Sequence, residues 1–75
     1  MNKKRRTQIK EVYAALRDTM GNLEDILAEE EFALDNLPEN LRVSERAESA
    51  ENAIDKMDNA VDAIAEAMDC LKEIV

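Results

Sequence analysis

VSERAESAENAIDKMDNAVDAIAEAMDCLKEIV, residues 43–75, is the stretch that decides the fold. Val43, Ala47, Ala50, Ile54, Met57, Val61, Ile64, Met68, Leu71 and Val75 follow one another in alternating steps of four and three residues. That alternation is the seam of an amphipathic helix that packs along its whole length against another helix. Beside it runs a second column, Ala53, Ala60, Ala67 and Ile74, each seven residues from the last. Its small side chains let another backbone come close, and one partner helix does not cover both columns.

Upstream, the segment DNLPENLR, residues 35–42, breaks the pattern. Pro38 cannot continue a helix, Asn36 suits a left-handed position just past a helix end, and Ser44 is a good N-cap for the helix that follows. Before this break, Ile9, Val12, Leu16, Leu23, Ile26, Ala33 and Leu37 trace a helical stripe, widened on one side by Tyr13, Met20, Leu27 and Leu34. The chain therefore reads as an all-α antiparallel two-helix hairpin, with helices over about residues 4–36 and 44–74, a turn at 37–43 and a basic tip at 1–8. Folding back pairs Leu27 with Ile54, Leu23 with Met57, Met20 with Val61, Leu16 with Ile64, Val12 or Tyr13 with Met68, and Ile9 with Leu71.

Length and composition agree with this reading. Seventy-five residues with one Gly, one Pro and no Trp or His, rich in Ala, Leu and charged residues, have the composition of long helices and one domain. A chain this short buries a modest share of its surface, so association is expected. The widened seam places it in a homodimeric four-helix bundle, with Leu16, Leu23, Leu27, Ala53, Ile54, Met57, Ala60, Val61, Ile64, Ala67, Met68 and Leu71 forming core and dimer contacts.

The net charge of −8 is unevenly distributed. Residues 1–17 hold six cations against Glu11, a net of +5, whereas residues 18–75 hold four cations against seventeen acids, a net of −13. An acidic body repels phosphate, so nucleic acid is expected only through the arm Lys3, Lys4, Arg5 and Arg6, which lacks aromatic interleaving. The simpler account of the arm is charge matching against Asp69, Glu73 and the C-terminal end of helix two.

The acids of helix two, Glu48, Glu51, Asp55, Asp58, Asp62, Glu66, Asp69 and Glu73, also step by three and four, forming a ridge opposite the apolar seam. The ridge runs about 37 Å, one carboxylate per roughly 5 Å, sparser than duplex phosphate at one charge per about 1.7 Å. It reads either as a solvated face or as a surface for a basic protein. Glu30 falls at a seam position opposite Ala47 and Ala50, with Arg46 in reach, which reads as a register-fixing pair. Gly21 reads as a tolerated surface glycine, with a slight bend or a partner's close approach as the alternative. Cys70 reads as a small packing residue on the seam flank with Ser49 and Ala63.

No Gly-rich phosphate loop, nucleophile elbow or metal-spaced cluster occurs, and a di-metal carboxylate bundle site would add histidines that this chain lacks. No enzymatic activity and no cofactor are expected. No apolar run reaches transmembrane or signal-peptide length, and a single cysteine cannot form an intrachain disulfide, which gives a cytoplasmic expectation and no membrane partner.

The stretch DNLPENLRVSERAESAENAIDKMDNAVDAI, with the opening MNKKRR, resembles a group of small acidic helical-hairpin proteins encoded in bacteriophages and prophages of Gram-positive bacteria. The likeness rests on the basic start, the turn Asn36-Leu37-Pro38-Glu39-Asn40-Leu41, and Ser44-Glu45-Arg46 opening an acidic helix. It implies a mobile-element origin, with the host cytoplasm as the setting. The function expected is a non-enzymatic interaction module binding a basic protein through its acidic surface. The alternatives are a DNA-mimicking inhibitor of a host nuclease or defence system, and a nucleic-acid-binding protein using the basic arm.

Overall fold

The computed structural model describes all 75 residues as two long helices joined by a tight turn, with no strand. Helix α1 spans Lys3–Asp35 and helix α2 spans Glu45–Lys72, with a single 3-10 turn at Glu39–Leu41 between them. At 1.5 Å per residue α1 is about 50 Å long and α2 about 42 Å. The molecule measures 59 × 14 × 12 Å, so the helices lie antiparallel along their full length as an all-α hairpin.

Each helix end has an identifiable cause. Asn2 caps α1, its Oδ1 accepting the Arg5 backbone N–H at 2.8 Å. The first turn of α1 carries no acid, so Lys3, Lys4 and Arg5 oppose the helix dipole and the cap must hold the end. At the other end Asn36 does not take up a left-handed conformation: its φ is −97°, and no residue of the chain has positive φ. Its side-chain amide instead donates to the Phe32 carbonyl at 2.7 Å, closing the last turn without the αL backbone. Arg42 reaches back from the turn, donating to the carbonyls of Leu37 (3.3 Å) and Asp35 (3.0 Å), and so supplies the cation that the last turn of α1 lacks. Ser44 starts α2: it accepts from the Ala47 N–H at 3.4 Å and donates to the Leu41 carbonyl, tying turn to helix.

The helices meet along one line. Along α1 and into the turn, the half-buried residues Ile9, Tyr13, Leu16, Met20, Leu23, Leu27, Glu30, Leu34 and Leu37 follow unbroken steps of four and three, with Ala14 half-buried beside them. In α2 they are Ala50, Ile54, Met57, Val61, Ile64 and Leu71, in register with Ala47 and Met68, the only two buried residues, with Ala60 and Ala65 half-buried on either flank. The contact line of α1 thus differs from the stripe that the sequence favoured. Val12 (51%) and Ile26 (54%) are exposed, as is Ala33, while Tyr13, Met20, Leu27 and Leu34 turn inward. This is a rotation of about 60° around the axis, and it follows from size: the inward column offers more apolar area than Val12, Thr19, Ile26 and Ala33. Val43 is 95% exposed in the turn, so the α2 seam opens at Ala47. Ile74 and Val75 lie past the end of α2. Cys70, Ser49 and Ala63, expected to pack on the seam flank, are exposed.

Gly21 lies within α1, and a Cβ built there meets nothing within 4 Å. Gly21→Ala is therefore expected to stabilise the hairpin by about 1 kcal/mol. Ser44→Ala should cost about 1 kcal/mol through the lost cap. Urea unfolding followed by circular dichroism checks both, as opposite shifts of the midpoint.

Candidate functional site

Writing the repeat as a to g, with the seam at a and d, shows what flanks it. In α1 the g column is Val12, Thr19, Ile26 and Ala33, and in α2 it is Ala53, Ala60, Ala67 and Ile74. In an antiparallel pair the two g columns fall on the same side and the two e columns on the other. The structure places them so: Ala33, Arg46 and Ala53, all g positions, line one groove of about 460 Å³ at the turn end, with Glu30, Leu34, Leu37, Ser49, Ala50 and Met57. The hairpin consequently has one apolar side, where Val12, Ile26 and Ile74 (40%) stand exposed. Its other side, Lys10, Arg17, Glu24 and Glu31 with Glu51, Asp58, Ala65 and Lys72, is charged.

The residues singled out in the sequence divide between these surfaces. Leu16, Leu23, Leu27, Ile54, Met57, Val61, Ile64, Met68 and Leu71 lie in the intrachain seam. Ala53 and Ala67 are exposed and Ala60 half-buried, so the alanine column flanks the seam and stays open. Glu48, Glu51, Asp55, Asp58, Asp62, Glu66, Asp69 and Glu73 are all exposed, at b, e and f positions of α2, away from the apolar side.

Lys3, Lys4, Arg5 and Arg6 are exposed and helical, forming the first turn of α1 rather than an extended arm. Helix α1 is longer than α2 by five residues, about 7.5 Å. The apolar side of α1 and the helix-ending role of Arg42 were missed in the sequence. The first was masked by assigning Val12 and Ile26 to the core. The second could have been sought as a cation just after a helix whose last turn has none.

Glu30 and Arg46 line the same groove, Glu30 half-buried and Arg46 exposed. No set of three His, Cys, Asp or Glu side chains is gathered closely enough to hold a metal ion. No helix is long and apolar enough to cross a membrane. Comparisons with family models, curated proteins and solved structures found no match.

With Arg46 exposed, any coupling to Glu30 acts through solvent and should amount to about 0.2–1 kcal/mol, well below that of a buried pair. A double-mutant cycle on Glu30→Gln and Arg46→Gln measures it; strictly additive losses would remove the pair as a register device.

Proposed function

We propose that the protein is a non-enzymatic interaction module, homodimeric, that binds a basic protein partner through the acidic face of α2, in the setting of a phage or prophage accessory factor. The observation that carries this reading is the ridge of eight exposed carboxylates along one helix, set apart from the apolar side of the same hairpin. Like charges at three- and four-residue spacing disfavour the helix by a few tenths of a kcal/mol per pair, and Lys56 and Lys72 offset only part of that. A basic partner would relieve the repulsion on binding and would be steered to the surface by the net charge of −8.

Imitation of duplex DNA is the weaker reading, because the ridge carries about one charge per 5 Å against one per about 1.7 Å. The basic first turn of α1 supports a second one, nucleic-acid binding at that tip.

Changing Asp55, Asp58 and Asp62 together to Asn tests the main reading. Capture of the basic partner from an expressing host should drop at least tenfold and wild-type capture should fall with added salt, while unfolding stability stays level or rises. Capture at full strength by the triple variant would defeat the proposal. Salt-sensitive DNA binding abolished by deleting residues 1–6 would move the function to the tip, and competition with duplex DNA for a nuclease would move it to DNA mimicry.

A further inference from the structure

The hairpin exposes 5860 Å², whereas a compact monomer of 8.5 kDa exposes about 4,700 Å². The excess, about 1,200 Å², exceeds the roughly 800 Å² that each partner contributes to a standard protein interface. One 59 × 14 Å side of the rod supplies about that area. The apolar side is the one suited to it, since its g columns carry no charge from Val12 to Ala33 or from Ala53 to Ile74.

Two observations identify the occupant. The first is symmetry. With Arg5 and Arg46 included, the g columns run Arg5, Val12, Thr19, Ile26, Ala33 on α1 and Arg46, Ala53, Ala60, Ala67, Ile74 on α2; their middle members are Thr19 and Ala60, which the expected pairing of Leu23 with Met57 and Leu16 with Ile64 sets level. A surface balanced about its own midpoint fits a two-fold axis crossing it. The second is charge. Residues 20–60, the half of the rod nearer the turn, hold three cations and twelve acids, a net of −9; residues 1–19 and 61–75 hold seven cations and six acids, a net of +1. Copies aligned turn to turn would set −9 beside −9, while copies laid end over end set −9 beside +1.

We infer that a second copy of the chain, laid antiparallel, covers the apolar side, so that the open end of each copy occupies the groove at the turn end of the other. In this arrangement α1 crosses the partner's α1 with Val12 over Ile26, and α2 crosses the partner's α2 with Ala53 over Ala67. Ile74 then comes level with the groove residue Arg46, and Arg5 with Ala33, one turn from Glu30. The groove's apolar lining receives Ile74, and the half-buried Glu30 carboxylate receives the Arg5 guanidinium. The alanines let the two α2 helices approach closely, and the acidic ridge remains outside. The inference rests on the self-association proposed above and is independent of the basic partner.

Cross-linking in a Cys70→Ser background, which removes the only thiol, tests the arrangement. Copies carrying Ala53→Cys and copies carrying Ala67→Cys are unfolded, mixed, refolded and treated with a short bismaleimide. The mixture should cross-link and so should Ala60→Cys alone. Ala53→Cys alone should not, its two thiols lying about 21 Å apart along the bundle. Sedimentation should give twice the 8.5 kDa chain mass. Ala60→Glu should weaken association on the order of 100-fold, while Gly21→Ala, on the charged side, should leave it unchanged.

A monomer at micromolar concentration overturns the self-association and this arrangement together. A dimer in which Ala53→Cys cross-links with Ile26→Cys of another copy, and not with Ala67→Cys, overturns the orientation alone. A dimer indifferent to Ala60→Glu overturns the choice of side.

Discussion

Two helices can bury only the line along which they touch, and the rest of this structure follows from that constraint. Every seam residue of α1 keeps a sizeable part of its surface in water, and in α2 only Ala47 and Met68 are buried. Ala47, whose N–H is held by the Ser44 cap at the start of α2, is 1% exposed. Met68, near the open end of the seam, is 7% exposed, its long and flexible side chain suited to filling the space between the helices. With so little interior, the definition of the ends matters more than usual. The side chains of Asn2, Asn36, Arg42 and Ser44 each hydrogen-bond a backbone group at a helix end.

The α2 seam and the position of the turn were legible in the sequence because each rests on a strong local signal. An unbroken four-three alternation over seven apolar residues from Ile54 to Val75 has one helical reading, and Pro38 has one consequence for a helix. Helix α1 was less legible because it offers two such lines. Its d column can pair with the g column on one side or the a column on the other, and both are largely apolar. Only the competition between whole columns decides it, since Tyr13, Met20, Leu27 and Leu34 displace Val12, Thr19, Ile26 and Ala33 from the contact line by their greater area. The conformation of Asn36 was not legible for a different reason. An asparagine can close a helix through its backbone in αL or through its side-chain amide, and here it uses the second.

The same rotation of α1 turns a misassigned stripe into a surface. Had Val12 and Ile26 faced α2, the hairpin would have been more polar outside, and the alanine column of α2 would have stood alone. Instead the displaced column of α1 joins that of α2 to make one continuous apolar side, which neither helix would provide by itself. Its chemistry is graded: β-branched residues on α1 supply most of the area, while alanines on α2 set how closely a second layer can approach.

The acids of α2 lie at b, e and f, and its small residues lie at g, so approach from one side leaves the other undisturbed. That separation matters energetically because the two surfaces need opposite environments. Apolar association strengthens as charge is screened, whereas recruitment of a basic protein weakens. Built on one face they would compete, each desolvating what the other keeps hydrated. On opposite sides of one helix, the proposed apolar pairing would supply stability that a two-helix seam cannot, and it would double the acidic surface without adding a residue to the chain. An assembly of this kind would hold two acidic ridges on a rigid spacing set by the bundle, so a basic partner with two sites would be bound with an avidity that neither ridge reaches alone.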